Sequence, residues 1–237
     1  MGKLLIQQRR GKGYQRYKSP GKKFVGRVIH LKNTTDNVKG EVLDIVNCPG
    51  HYAPIAKVKY ENGEDTLVFA PEGMKVGDSI NAGKGSEIKP GNLIELKDIP
   101  EGTLIYNIES QPGDGGKFCR TSGSFGRLLS KSSSVVTVIL PSKKEKKFSL
   151  GCRANIGIVS GSGRKEKPFI KAGNMYHAKR ARNKLYPSVS GNSMNAVDHP
   201  FGGSKSNSKN KPRQTSRHAP PGRKVGSLAP KRTGTKR

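Results

Sequence analysis

The sequence predicts an all-β protein in which two small barrels are flanked by two long, basic, extended arms. The 237-residue chain has 45 Lys or Arg and 17 Asp or Glu residues, a formal charge of +28. Residues 1–32 hold ten basic and no acidic side chains, residues 33–160 hold sixteen and fifteen, and residues 161–237 hold nineteen and two. Short strands separated by glycine and proline recur in the nearly neutral middle part, which shows no amphipathic helix.

This charge distribution argues against a compact small-molecule enzyme and indicates a polyanionic partner. No run approaches the roughly 18 consecutive apolar residues that a membrane-spanning helix needs, and the amino terminus lacks a signal-peptide core. Three widely spaced cysteines, Cys48, Cys119 and Cys152, are typical of a reducing compartment. We therefore expect a cytoplasmic protein with no membrane partner.

The amino-terminal arm, residues 1–32, has no hydrophobic period of 2 or 3.6. It cannot bury enough apolar area by itself to offset the conformational entropy lost on ordering. Its tyrosines alternate with cations and glycines, which favours contact with RNA through stacking and phosphate neutralisation. The RNA-binding residues predicted in this arm are Arg9, Arg10, Lys12, Tyr14 and Arg16.

The body, residues 33–160, contains Asn62-Gly63 between two apolar runs, which is the strongest short-range hairpin signal. A boundary near residue 85 divides it into one barrel over 33–84 and a second over 85–160. Residues 135–140 and 148–150 are expected to pair across a lysine-rich turn. The predicted strands cover residues 41–46, 55–60, 66–70, 77–80, 93–96, 103–108, 135–140 and 148–150.

The carboxyl-terminal arm, residues 161–237, is rich in glycine, serine and lysine. A helix is predicted near residues 176–185, where Lys179, Arg180 and Arg182 would cover much of its surface. A helix this basic has little to pack on except phosphate. The rest of the arm should be extended and ordered only by its partner.

Several motifs resemble cofactor sites but fail in detail. The glycine-rich segments 113–117 and 161–165 do not meet the Walker pattern, so each is interpreted as a turn whose backbone approaches RNA or as a simple connection. Cys48 and His51 have the spacing of half a zinc site, but no second close pair exists. We expect no metal site in the protein itself.

Asp198-His199 is the one carboxylate–histidine pairing that suggests catalysis. A general base also needs a nucleophile and an oxyanion site, and the sequence indicates neither. The alternative is that His199 is structural or contacts RNA. We expect no catalytic residues and no enzyme.

Six blocks of sequence resemble the universal large-subunit ribosomal protein two family in its archaeal-type form, nearly end to end and in the expected order. They are IKPGN at 88–92, IPEGT at 99–103, NIESQPGDGGK at 107–117, KPFIKAGN at 167–174, MNAVDHPFGG at 194–203 and APPGRKVG at 219–226. The chain departs from the family pattern at His51, where arginine is usual, at Ser190 within Val-Arg-Gly, and over residues 204–211.

The resemblance implies an OB-fold barrel followed by an SH3-like barrel, with both termini extended into ribosomal RNA. It also implies that the protein binds large-subunit rRNA early and supports the peptidyl-transferase region. Its further partners would be neighbouring ribosomal proteins and the small subunit. No cofactor is expected apart from structural Mg or K ions at the RNA interface. The further RNA-binding residues predicted are Lys117, Arg164, Lys171, Asn195, His199, Arg223, Lys224 and Arg232.

Three functions from different classes follow. The first is a structural rRNA-binding constituent of the large subunit, the second an RNA-acting enzyme centred on Asp198 and His199, and the third a free single-strand RNA-binding OB protein. The first accounts best for two basic arms around a neutral body.

Overall fold

A computed structural model of the chain describes residues 4–32, 37–204 and 212–231. The chain forms two compact units. One is the body, Gly21–Pro168. The other, here called the terminal unit, combines the described residues of Met1–Pro20 and Phe169–Arg237.

The body is a single ten-stranded sheet in the order β3-β2-β1-β4-β5-β10-β6-β7-β8-β9. Neighbouring strands are antiparallel except for β4 and β5, which pair in parallel at Ala82 and Leu93. The strands are β1 Val38–Val46, β2 Ile55–Tyr60, β3 Asp65–Phe69, β4 Ser79–Ala82, β5 Leu93–Glu95, β6 Leu104–Tyr106, β7 Gly126–Lys131, β8 Val135–Ile139, β9 Glu145–Ser149 and β10 Arg153–Ile156. The all-β prediction is confirmed, and among the described residues of the body there is no α-helix.

Every predicted strand is present, and β2 has the predicted bounds. The Asn62-Gly63 hairpin joins β2 to β3, with Gly63 at φ +82. The pairing of β8 with β9 places Val136 opposite Phe148, as expected. Alternating burial along β2 follows from its sequence, since apolar side chains on one face enter the core while Lys57 and Lys59 face outwards.

Two strands of the body, β7 and β10, were not predicted. β7 contains a bulge between Leu128 and Ser130, which interrupts the period of two. β10 is buried at all four positions although it carries Arg153 and Asn155. β10 has no apolar run that would mark it as a buried strand. Arg153 and Asn155 can be buried because their side chains form hydrogen bonds inside the protein.

Among the residues that the structure describes, the core consists of three hydrophobic clusters. One gathers residues between Leu31 and Leu93 around Val42 and Ile80, and a second gathers residues between Ile94 and Ile156 around Ile105 and Leu128. The division between these two clusters falls at β5, with Leu93 in the first and Ile94 in the second. The assignment of an OB fold to 33–84 and an SH3-like fold to 85–160 stays a prediction.

The body is longer than the predicted 33–160. Residues 21–32 were assigned to the amino-terminal arm, but Val28 and Leu31 are each only 1% exposed and belong to its hydrophobic clusters. The segment after Lys23 forms neither a helix nor a strand, so its buried residues do not recur with a period of 2 or 3.6 in the sequence. At the other end the body continues to Pro168.

The terminal unit contains helix α1 (Ile6–Gly11), helix α2 (Ala172–Ala181) and a short parallel pair, β11 (Gln214–Thr215) with β12 (Ser227–Leu228). The helix predicted near 176–185 exists but begins and ends four residues earlier. It stops before Asn183, which adopts φ +51, a conformation that asparagine tolerates. α1 was not predicted, and its start is held by Leu5 N–H donating to Gln8 Oε1 at 2.8 Å.

Candidate nucleic-acid interface

The terminal unit has almost no interior. Of its described residues, only Gly202 and Thr215 are buried, and α2 buries none of its side chains. Residues 1–20 hold six basic side chains and residues 169–237 hold sixteen, against the single carboxylate of Asp198. Basic side chains that far outnumber the carboxylates and surround almost no core form a surface suited to a polyanion.

This unit brings together the predicted RNA-binding residues from both ends of the chain. Only Lys117 and Arg164 lie in the body, and Arg232 lies outside the described residues. Arg182 and His199 are half-buried. The exposed members in the terminal unit are Arg9, Arg10, Lys12, Tyr14, Arg16, Lys171, Lys179, Arg180, Asn195, Arg223 and Lys224.

Asn183 connects the two ends of the chain. Its Nδ2 donates to the carbonyl oxygens of Gln15 at 2.6 Å and Lys18 at 2.5 Å. The Arg10 guanidinium carbon also lies 5.8 Å from the centroid of the Tyr17 ring, within reach of a cation–π contact. The basic amino-terminal segment and the end of α2 are thus presented together.

His199 lies in a tight turn. Its Nδ1 accepts the backbone N–H of Phe201 at 3.0 Å, and its ring centroid is 5.1 Å from that of Phe201. A Cβ at Gly191 would lie 2.4 Å from the imidazole, and a Cβ at Gly202 would lie 2.3 Å from the Asn195 carbonyl oxygen. These glycines are therefore required by close packing inside the turn.

The hydrogen bond at His199 Nδ1 bears on catalysis. In a carboxylate–histidine dyad the imidazole donates its Nδ1 proton to the carboxylate, which fixes the tautomer for general-base chemistry. Here Nδ1 is the acceptor, so the neutral ring carries its proton on Nε2. Asp198 does not orient His199 through Nδ1, and the geometry supports a structural imidazole.

The glycine-rich loop 113–117 serves the body's interior. The backbone N–H groups of Gly113 and Gly115 each donate to the Glu109 carboxylate at 3.2 Å, and that of Gly116 donates to Asp114 at 3.1 Å. These donors are engaged by protein carboxylates, which supports the simpler interpretation of a connecting turn. Lys117 follows the loop, exposed and 3.8 Å from Asp114 Oδ2.

A buried polar cluster that sequence reasoning missed joins this loop to residues 28–31. Arg153 Nη2 lies 2.7 Å from Glu109 Oε1, and Arg153 Nη1 donates to the Leu31 carbonyl at 2.7 Å. Arg120 Nη2 donates to the Val28 carbonyl at 2.9 Å, and His30 Nε2 lies 2.6 Å from the Asn107 carbonyl oxygen. Two arginines of the body thus donate hydrogen bonds to backbone carbonyl groups of the body itself.

The cluster has perturbed acid–base properties. Burial lowers the pKa of His30 to about 4, although the negative charge of Glu109 acts in the opposite direction. Burial alone would raise the pKa of Glu109, but hydrogen bonds from Arg153 hold that pKa below its usual value. At neutral pH the cluster therefore contains a neutral imidazole and an ionised carboxylate–guanidinium pair.

Cys48 and His51 do lie close together, with Cys48 Sγ 3.2 Å from His51 Nδ1. In the described ranges, no group of three or more His, Cys, Asp or Glu residues could hold a metal ion. Within those same ranges no helix has the length and apolar character needed to cross a bilayer.

An all-β body with a coreless, basic terminal unit defines a structural RNA-binding protein. Comparison with known families adds that residues 5–82 match the RNA-binding N-terminal domain of ribosomal proteins L2, and residues 89–220 match the C-terminal domain. The chain belongs to the L2 family of large-subunit ribosomal proteins.

Archaeal relatives match over nearly their whole length. The large ribosomal subunit protein uL2 of Methanothermobacter thermautotrophicus is 47% identical, with both chains covered completely. That of Methanococcus aeolicus is 49% identical with 99% of each chain covered, and that of Archaeoglobus fulgidus is 48% identical with both covered completely. Membership confirms the predicted structural, rRNA-binding constituent of the ribosome, and confirms that it is not an enzyme.

Proposed function

We propose that the terminal unit is the principal rRNA-binding element of this protein. The observation that carries this proposal has two parts. Residues 1–20 and 169–237 hold 22 cations and one side-chain carboxylate, and almost none of the described side chains in these ranges is buried. Such a segment gains order when phosphates neutralise its excess of positive charge, and its binding releases condensed cations from the RNA.

The exposed basic residues of α2 and of the amino-terminal segment contact phosphates. Tyr14, which is 50% exposed, stacks on an unpaired base. Neutralisation of neighbouring phosphates by one protein reduces repulsion between RNA segments, so binding promotes early assembly of the subunit. Structural Mg²⁺ or K⁺ ions at the interface would assist where phosphates outnumber the protein's cations.

We extend the proposal to the position in the ribosome that the family resemblance implies. The terminal unit supports RNA of the peptidyl-transferase region, where the turn around His199 acts as a structural element. Neighbouring ribosomal proteins and the small subunit are its further partners. The acceptor role of Nδ1 at His199 supports this structural part in place of a chemical one.

The experiment is sedimentation of cell extract containing a tagged full-length chain, followed by a high-salt wash of the large subunits. We expect one copy per large subunit after the wash. A variant with Lys171, Lys179 and Arg180 changed to glutamine should be partly released. The matched control changes Lys143, Lys144 and Lys147 to glutamine and should be retained, because these exposed body cations lie outside the matched RNA-binding domain. Equal release of both variants would overturn the proposal.

A further inference from the structure

Tyr52 and Arg164 form an exposed aromatic–cation pair on the body. The guanidinium carbon of Arg164 lies 3.8 Å from the centroid of the Tyr52 ring, close to van der Waals contact. Tyr52 is 49% exposed, and Arg164 lies in the continuously exposed segment 161–168. The pair therefore presents a π surface and a positive charge to solvent at one place.

The loop that carries Tyr52 is firmly held between β1 and β2. Its neighbours Cys48 and Ala53 are each 1% exposed. The His51 N–H donates to the Cys48 carbonyl at 3.0 Å, and the Pro54 carbonyl accepts the N–H of Ala70 at 3.1 Å. Tyr52 is thus an exposed ring on an anchored loop, which lowers the entropy lost when a ligand packs on it.

Arg164 is also fixed. Its Nε donates to Ser122 Oγ at 3.1 Å, which uses one of the five N–H donors of the guanidinium. The preceding Ser162 Oγ donates to Glu72 Oε1 at 2.8 Å. A Cβ at Gly123 would lie only 2.8 Å from the Ser162 Cα, so the two backbones pack directly against each other.

We propose that Tyr52 and Arg164 form a stacking platform for one unpaired nucleobase of the bound RNA, an inference that rests on the proposed function. Tyrosine rings and guanidinium planes both stack on bases, and the guanidinium also attracts the adjoining phosphate. Lys165 and Lys167 follow in the same exposed segment, against the single carboxylate of Glu166. The residues next to the platform therefore carry a net positive charge.

The ligand is a single-stranded or bulged nucleotide and not a duplex. Bases inside an A-form helix are stacked on one another, and the deep, narrow major groove excludes side chains. An aromatic ring with a guanidinium beside it, presented on the surface of the body, suits a base that is turned out of its helix. The platform would be a second contact with RNA, carried by the body itself.

Tyr52 was not among the residues expected to bind RNA. Its sequence neighbours, His51 and Ala53, carry none of the interleaved cations that mark Tyr14 and Tyr17. Its cationic partner is 112 residues away in sequence (164 − 52). Only the fold brings the ring and the guanidinium together.

The test uses the full-length chain with large-subunit rRNA. Ultraviolet crosslinking followed by mass spectrometry should find a nucleotide attached to the peptide that contains Tyr52. Tyr52→Ala should weaken binding by about 5- to 150-fold without changing the salt slope, whereas Tyr52→Phe should stay within about twofold. Arg164→Gln should weaken binding and reduce the salt slope by about one unit.

Val76→Ala is the matched control, because it truncates another exposed side chain of the body, 59% exposed. If wild-type chain binds and Tyr52→Ala binds as tightly as Val76→Ala, the platform is refuted while the proposed function stands. A Tyr52→Ala variant with a lower melting temperature but an unchanged affinity would also overturn it, because the pair would then only connect two loops. Failure of wild-type chain to sediment with large subunits would contradict the proposed function itself.

Discussion

Arg153 Nη2 lies 2.7 Å from Glu109 Oε1 in the interior of the body, where the Arg153 side chain is 9% exposed and that of Glu109 is fully buried. In a protein with 45 basic residues, this arginine does not face the RNA. It fills a cluster that holds residues 28–31 and the loop 113–117 against the sheet. The charge count of an RNA-binding protein thus includes cations that stabilise its own fold.

Breaking this pair should destabilise the body strongly. Arg153→Met leaves a buried carboxylate without its partner and removes the hydrogen bond to the Leu31 carbonyl, so the free energy of unfolding should fall by about 3–5 kcal/mol. Urea denaturation of the full-length chain, followed by circular dichroism, measures the change. Lys57→Met, which removes an exposed pair with Asp44, should cost at most about 1 kcal/mol. Similar losses in the two variants would contradict the assigned role of the cluster.

The buried His30 should make the body sensitive to mild acid. Its pKa is about 4 in the folded protein and about 6.5 when unfolded. The unfolded chain therefore binds the extra proton first, and stability is lost as the pH falls from about 6.5 to about 4. The full difference corresponds to about 3 kcal/mol. Glu109 acts in the same direction but at lower pH, because a carboxylate with a lowered pKa loses its contribution only below about 4.3.

Urea denaturation at pH 7, 6, 5 and 4 tests this pH dependence. His30→Gln should flatten the loss between pH 6.5 and 4, whereas His177→Gln, a change on exposed α2, should leave it intact. An unchanged pH profile in His30→Gln would show that another group is responsible. Since Gln has a different shape, the comparison is between slopes with pH and not between absolute stabilities.

Much of the fold was accessible from sequence because the signals were local. Asn62-Gly63 marks a hairpin, and the alternation along Ile55–Tyr60 reflects one buried face. β10 was missed because Arg153 and Asn155 look like surface residues until Glu109 and the Gly91 carbonyl are placed beside them. A pairing between residues far apart in the chain leaves no periodic signal.

The candidate RNA interface could be predicted from the sequence to a similar degree as the fold. Charge clustering identified the ends of the chain, which the structure combines into one unit. The hydrogen bonds from Gly113 and Gly115 to Glu109 could not be predicted, because the sequence alone would place that carboxylate in solvent. Tyr52 likewise depends on a long-range contact with Arg164.

Binding to large-subunit rRNA should weaken steeply with salt, since each neutralised phosphate releases counter-ions. If eight cations of the terminal unit contact duplex phosphates, affinity should fall by roughly 10³–10⁵-fold between 50 and 200 mM salt. Lys179→Gln with Arg180→Gln should reduce the log–log slope by about two units. The body variant Lys144→Gln with Lys147→Gln, outside the matched RNA-binding domain, should leave it unchanged. Filter binding over a salt series measures both slopes, and equal slopes would assign the phosphate contacts elsewhere.

The last prediction concerns His199, whose Nδ1 accepts the Phe201 N–H. His199→Gln retains an acceptor and a donor, so fully assembled ribosomes carrying it should keep most of their rate of single-turnover peptide transfer. His199→Ala loses the acceptor and should lower rRNA affinity or assembly by about 2- to 12-fold.

Gly191→Ala, which forces a Cβ to within 2.4 Å of the imidazole, should impair assembly, whereas Gly173→Ala, with nothing within 4 Å, should not. If the imidazole were a general base, both His199 variants would lose about 10²–10⁴-fold in the chemical step after normal assembly. That outcome would replace the structural role with a catalytic one, because a hydrogen bond that glutamine can reproduce does not account for a loss confined to chemistry.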